Sequence, residues 1–408
     1  MSAPLTNPFI IGFPAEGGHF ADRETEVRRI VVALTDPASR LVVYGDRRQG
    51  KTSAILAAAA EARANGENVA LVDLAKVTSM EAAAQRVLDA VHRELGRRWK
   101  DTAVSLMQRM RHAQVAITTT ADPITGAPSV SFSVTSPRAT AAAPVRPGQV
   151  FVDALNAVEE ELRERGETLG LALDEFQRLA RWDGEIDWLL KGTLESHRRI
   201  SYVLAGSEKS LIEQMLDAKK AGLWKVAEIL DLQPIPVALF AAWITARAAA
   251  TGVVIPDAVA RQVVAVAGPR TRDVVQLARV LWDVLPDDAT ATAADVAHAL
   301  QVLVTEQSAL YLRAWERLES DAHRTLLVLM AHDPHVEPTG TETLRRWPLR
   351  PKSTMARIVT QLIEEELVVR EADGAYRFDD PFFQRWIATN VFPDFGFPVP
   401  PTWSAPAS

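Results

Sequence analysis

The 408-residue chain contains no cysteine, so neither a disulfide framework nor a thiolate metal site is open to it, and nothing asks for an oxidising compartment. It also lacks any apolar run of the roughly 18 residues that a membrane-spanning helix needs. Its first residues, MSAPLTNPFIIGFPAEGG, have neither a basic start nor an apolar stretch of signal-peptide length. The expectation is a soluble, cytoplasmic protein with no membrane partner. Nor is there a surplus of positive charge: 45 Lys and Arg face 52 Asp and Glu, for a net charge of −7. That excludes a chain coated in nucleic-acid-binding charge and leaves only a local basic patch for such a role. The eight histidines show no metal-ligand spacing, His332 and His335 reading as loop residues around Asp333-Pro334. No Ser/His/Asp or paired-carboxylate hydrolase arrangement stands out.

What is present is the balance of a folded protein, 48% hydrophobic and 24% charged, over a length that calls for two or three domains. Residues 22–35 read as a helix with Asp22 as its N-cap and Glu24 and Glu26 in the first turn. LVVYG (41–45) reads as a buried strand entering a glycine-bracketed loop, residues 51–65 as an alanine-rich helix, and 69–74 as the next strand. Strand, loop, helix, strand is the βαβ unit of a parallel sheet, with its ligand site at the carboxyl ends of the strands. LGLALDE from Leu169 and ISYVLAG from Ile200 add two buried strands, so the sheet is expected to be parallel with at least four strands. Between them, residues 115–134 alternate as a hairpin about Asp122-Pro123-Ile124-Thr125-Gly126, and 136–148 read as a Pro/Ala/Thr-rich linker. Together, 113–148 form an insertion in the core.

The chemistry concentrates in Gly45-Asp46-Arg47-Arg48-Gln49-Gly50-Lys51-Thr52, which fits G-x-x-x-x-G-K-[ST] between a predicted strand and a predicted helix. Glycines let the backbone close around a polyphosphate, so that successive N–H groups and the helix N-terminus face its oxygens. Lys51 would reach the β- and γ-phosphates of ATP, and Thr52 would place its hydroxyl on Mg²⁺. The second constellation is Leu171-Ala172-Leu173-Asp174-Glu175, an apolar strand ending in two carboxylates. In a P-loop fold, an Asp there holds the metal and the adjoining Glu orients the attacking water. An ATPase is expected.

With these motifs the chain resembles the AAA+ superfamily, and within it the archaeal-type ATPases related to origin-recognition and signal-transduction ATPases. GDRRQGKT is similar to the Walker A of that family and LALDEFQ to its Walker B. Phe20-Ala21-Asp22-Arg23-Glu24 resembles the family's F-x-x-R-E segment, which implies that Phe20 and Arg23 lie near the adenine, with Ser53 following Thr52 in the phosphate loop. HRRISYVLAGSEKSLIEQM resembles the sensor 1 region, implying Ser207 beside the γ-phosphate, and Ala267-Gly268-Pro269-Arg270 resembles the sensor 2 position, implying that Arg270 reaches the phosphates from a lid. One departure is the stretch where many relatives carry an arginine finger, which here offers only Lys219, Lys220 and Lys225. Lysine lacks the planar guanidinium fork, so slow, switch-like hydrolysis is expected over strong activation in trans.

Residues 236–305 are helical in pattern, with breaks at Thr251-Gly252, Gly268-Pro269 and Pro286-Asp287. Helices over 320–330, 342–347 and 353–367 and two short strands about Asp373-Gly374 are the order of a winged helix. The expected fold is therefore α/β: a P-loop AAA+ core with a parallel sheet at 1–235, an α-helical lid at 236–305, a winged helix at 306–395 and an extended tail at 396–408.

Arg345, Arg346, Arg350, Lys352 and Arg357 fall in one acid-free stretch, a DNA-facing edge in winged helices that place their third helix in the major groove. Residues 306–394 as a whole carry 11 basic against 15 acidic side chains. Double-stranded DNA and a protein partner both stay open, and so does an oligomer. The function expected is an ATP-binding, slowly hydrolysing switch coupled to that module. The alternatives are a DNA-binding regulator whose affinity ATP only tunes, or a non-hydrolysing scaffold.

Overall fold

Arg40-Leu41-Val42-Val43-Tyr44 is apolar at its centre and forms β1 (Arg40–Tyr44) in the computed structural model. Residues 6–12, 20–96, 101–111, 113–121, 128–135, 146–207, 226–347, 351–371 and 373–400 are described. β2 (Val69–Asp73), β5 (Leu169–Asp174), β6 (Ile200–Gly206) and β7 (Glu228–Asp231) join β1 in a five-stranded sheet of order β2-β5-β6-β1-β7. All its pairings are parallel. A parallel sheet is covered on both faces, which is why these strands are apolar runs without alternation. Leu41 and Val43 face a layer made by α1 (Glu24–Thr35) and α2 (Lys51–Ala64). Val42 faces the opposite layer, made by α3 (Met80–Leu95) and α5 (Pro147–Arg165).

Ser79 caps α3 by accepting the Ala82 N–H at 3.2 Å. The expected cap of α1 is corrected: the helix starts at Glu24, and Asp22 and Arg23 both take left-handed angles, φ 59° and 87°, without a side-chain capping bond. That reversal turns the Arg23 side chain inward.

The insertion carries a hairpin of β3 (Gln114–Ala121) and β4 (Pro128–Thr135), antiparallel in register Ile117 opposite Phe132. It is anchored to α3: the Phe132 N–H donates to Asp89 Oδ1 at 2.8 Å, and its ring, 1% exposed, meets His92 edge-on. Its predicted tip at 122–126 and most of the predicted linker lie outside the described residues. α4 (Thr102–Arg109) is tied to α5 through the buried Glu161, which accepts from Arg109 Nε at 3.1 Å and from Arg165.

Residues Pro14–Pro234 form one compact unit; Met1–Phe13 and Ile235–Ser408 form the other. In the second, helices Val237–Ala249, Asp257–Ala267, Thr271–Val284 and Ala293–Glu306 stand between the turns predicted from Gly and Pro. Residues 6–12, expected with the core at 1–235, pack here instead. Phe9 is fully buried against Trp243 (ring centroids 5.7 Å), and Asn7 Nδ2 donates to the Arg279 carbonyl at 3.0 Å. An apolar segment joins whichever surface buries it, and sequence proximity does not decide that.

Helices Ser308–Glu316, Asp321–His332, Thr341–Arg346 and Lys352–Glu364, the antiparallel β8 (Val368–Arg370) and β9 (Tyr376–Phe378), and helix Pro381–Asn390 complete the unit. A buried turn precedes the expected tail at 396–408, and a ring contact is made at its start. Phe392–Phe395 is a 3-10 turn, Phe392 is 1% exposed, and Phe397 stacks on His332 at 3.9 Å between ring centroids. His332 is thus the last residue of a helix under an aromatic ring, not a loop residue. Residues 401–408 lie outside the described residues.

Candidate nucleotide site

The phosphate loop follows β1 directly. Gly45 takes φ 154°, and a Cβ there would stand 2.8 Å from the Leu232 carbonyl oxygen, so only glycine fits. Gly50 takes φ 90° with nothing within 4 Å of where a Cβ would be, leaving the loop open above the start of α2. Lys51, 6% exposed, donates from Nζ to the carbonyls of Gly45 (2.8 Å) and Asp46 (2.6 Å). Burial lowers its pKa from 10.5 to about 8, against the opposing pull of Glu175, Asp174 and Asp46. A cation held over its own loop in this way is available to a polyphosphate.

Thr52 is exposed in the first turn of α2, and its hydroxyl donates to Asp174 Oδ2 at 2.7 Å. β5 is separated from β1 by β6, so the contact is made by α2 leaning across the sheet end. A hydroxyl that donates once keeps two lone pairs. Thr52 and Asp174 therefore present oxygen to one point, a donor set that fits Mg²⁺. Burial raises the pKa of Asp174, with the Thr52 hydroxyl opposing.

Glu175 sits at φ 56°, an unusual angle for a non-glycine residue. Its carboxylate accepts from Ser207 Oγ at 2.9 and 3.0 Å and from Gln177 Nε2 at 2.6 Å. Gln177 closes the LALDEFQ segment that resembles a Walker B, but no role is expected of it there; its sequence signal is its place two residues after the acidic pair.

The remaining expected residues divide. Arg23 is 4% exposed, donates to the Gln49 carbonyl at 3.4 Å and pairs with Glu26 at 3.0 Å, so it braces the loop from behind instead of lying open to a base. Phe20 is half-buried against the layer of α1 and α2. Asp46, Arg47, Arg48 and Ser53 are half-buried along the loop and the first turn of α2, with Arg48 at φ 66°; Gln49 is 1% exposed.

The place expected for Arg270 is corrected. Its side chain is 3% exposed, paired through Nη2 with Asp379 Oδ1 at 2.8 Å, and donates from Nη1 to the Asp379 carbonyl. Burial with a carboxylate partner explains its place: the guanidinium bolts the start of helix Thr271–Val284 to the end of β9. Arg345, Arg346, Lys352 and Arg357 are exposed on helices of the winged helix, with the Arg346 guanidinium 5.6 Å from the Trp347 ring centre. Arg350, Lys219, Lys220 and Lys225 lie outside the described residues. No helix among the described residues is long and apolar enough to cross a membrane.

Residues 309–389 match the family described as a probable winged helix domain. No curated protein matches the chain. Among solved structures, a Walker-type ATPase of Pyrococcus abyssi superposes with a TM-score of 0.59 at 18% identity, over 93% of this chain and 99% of that one. The ORC2 protein of Aeropyrum pernix, in ADPNP-ADP complexes, gives 0.53 at 14% identity over 96% and 98%. The ORC1 protein of the same organism, in complex with DNA, gives 0.50 at 14% over 93% and 95%. At these identities the likeness establishes the fold. The chain shares the fold of those structures: a core built on a five-stranded parallel sheet, followed by α-helices and a winged helix domain.

Proposed function

We propose that the chain binds ATP with Mg²⁺ at the carboxyl end of β1 and hydrolyses it slowly, as a cytoplasmic switch whose winged helix engages a macromolecular partner. The observation that carries this is the 2.7 Å contact between Thr52 and Asp174 beside the Lys51 ammonium, because it gathers phosphate-binding and metal-binding groups at one point. The loop N–H groups and Lys51 would bind the phosphates. Mg²⁺, when bound, neutralises phosphate charge, and Thr52 and Asp174 would hold it. Glu175 would orient the attacking water and accept its proton, held by Ser207. Little covalent chemistry is asked of the protein, since positioned charge carries most of phosphoryl transfer.

Lys51→Ala is expected to abolish ATP binding, and Glu175→Gln to retain binding while losing turnover. Unchanged hydrolysis in both variants refutes the assignment.

A second reading, a DNA-binding regulator tuned by ATP, is favoured by the exposure of Arg345, Arg346, Lys352 and Arg357 in one stretch. It is also favoured by the DNA bound to the ORC1 protein of similar fold. Affinity that rests on phosphate contacts falls as salt rises, and removing one basic side chain from a phosphate lowers the logarithmic salt slope by about one. Duplex binding at two salt concentrations, with and without Arg346→Ala and Arg357→Ala together, decides it. Loss of a salt-sensitive affinity in the double variant supports DNA, and absence of binding in the parent points to a protein partner.

A further inference from the structure

We propose that Gln177 is a positioning residue for Glu175, an inference that rests on the hydrolytic function proposed for that site. Gln177 opens no path to solvent: it is 0% exposed, in the 3-10 turn Phe176–Arg181 that follows β5. Its Nε2 donates to Glu175 Oε2 at 2.6 Å, a short contact for an amide donor. Its own Oε1 has no hydrogen-bond partner among the described residues. Turning the amide over would set two oxygens against each other and strand the nitrogen in place of the oxygen. Either way, one buried amide group goes unsatisfied.

An orphaned buried polar group is a cost to stability that a leucine of similar volume avoids. Gln177 is therefore poorly explained as core. What it does provide is a second donor on Oε2 of Glu175, which also receives Ser207 Oγ at 3.0 Å. Among the described residues, Oε1 receives only the shared Ser207 hydrogen, at 2.9 Å. The two carboxylate oxygens are thus inequivalent. Oε2 is committed to the protein, and Oε1 keeps a lone pair for the hydrogen of a water. Glu175 sits at φ 56°, a backbone angle that packing must hold, and its carboxylate is held from two sides. Ser207 holds one side from the end of β6, and Gln177 the other.

The test uses the full chain and three measurements on each variant: kcat for ATP, nucleotide affinity and thermal midpoint. Gln177→Leu is expected to lower kcat by about ten- to a hundredfold while affinity stays within about twofold, because the group acts on the water-orienting carboxylate and not on the phosphates. Its thermal midpoint is expected to equal or exceed that of the parent. Gln177→Glu adds a readout that packing alone would not move. Two adjoining carboxylates raise one another's pKa, so its kcat should be low at pH 8 and recover as the introduced carboxyl gains a proton and can donate again. The parent has no such gain on the acid side.

A Gln177→Leu variant that hydrolyses at or above the parent rate, while Glu175→Gln is inactive, overturns the proposal. So does a joint fall of kcat, affinity and thermal midpoint with no acid recovery in Gln177→Glu, which would mark a packing role. Full activity in Glu175→Gln would instead sink the hydrolytic function of the site, and this proposal with it.

Discussion

At the amino ends of β1 and β6, Arg40 spends its guanidinium on backbone carbonyls: Leu194 at 2.9 Å, Pro37 at 2.9 Å, Ser39 at 2.8 Å and His197 at 2.8 Å. His197, 3% exposed, meets Tyr202 Oη at 2.7 Å through Nδ1 and Asn156 Oδ1 at 2.9 Å through Nε2. A neutral imidazole satisfies both contacts, donating from Nε2 and accepting at Nδ1. At the carboxyl ends of the same sheet the polar groups are held but not exhausted. Lys51 leans on its own loop, Thr52 keeps its lone pairs, Glu175 has one freer oxygen and Gln177 an orphaned one. A sheet can thus lock one end with completed hydrogen bonds and keep the other poised for a ligand. Ligands of open α/β sheets sit outside the carboxyl ends of the strands, in the crevice where the strand order reverses.

The sharpest way to break the contrast is Glu175→Gln. Turnover should fall by roughly 10²–10⁴-fold, the range for a lost general base, while a melting curve stays where it was. Loss of stability in its place would make the carboxyl end as structural as the amino end.

Arg270 extends the comparison to the other unit. If its pair with Asp379 is a lock, Arg270→Ala should cost about 3–5 kcal/mol, the penalty for leaving a buried charge unpaired, read as an earlier denaturant midpoint. A variant that melts normally but loses turnover would return Arg270 to the phosphate role implied by resemblance.

The amino end also makes a prediction about pH. Burial lowers His197 from 6.5 to about 4. The folded state therefore holds its proton less tightly than the unfolded state. The stability contributed by neutral His197 is complete above pH 6.5 and is lost as pH falls from 6.5 to 4. It amounts to about 3 kcal/mol in all. Urea titrations across that range should show the loss, and His197→Ala should flatten it.

The smallest effect belongs to Lys51. Its protonated form binds phosphate and its pKa is about 8, so ATP affinity should be full below pH 8. Above it, affinity should weaken by about tenfold per pH unit, the limit for one required proton. Affinity that held to pH 10 would show a lysine in no way perturbed by burial.

Much of this was legible in the chain because it is local. The phosphate loop is a run of eight residues whose glycines answer to backbone angles set on the spot, and the apolar runs of β1, β5 and β6 announce a covered parallel sheet. The helix breaks in 236–305 are equally local, being made by Gly and Pro. What escaped the pattern depends on contacts between distant residues or on neutral side chains whose role no spacing gives. The helices α3 to α5 carry packing and no chemistry. Gln177 is an ordinary amide until its distance to Glu175 is known. Arg270 has the residue type of a phosphate ligand but is committed to a carboxylate 109 positions away. The proline-rich end of the chain carries Phe392, Phe395 and Phe397, which pack against His332 and Trp347.

By itself, then, the order of residues determined where a turn must bend, which runs must be covered, and which groups are able to meet a polyphosphate. Only the tertiary structure decided which polar groups are used up and which remain available. It brought Thr52 and Asp174 together across 122 positions of chain, and it completed the hydrogen bonds of His197 while leaving Gln177 Oε1 without one among the described residues. Backbone angles and apolar periodicity are properties of neighbouring residues. The satisfaction of a buried donor or acceptor depends on what the rest of the chain brings within about 3 Å of it.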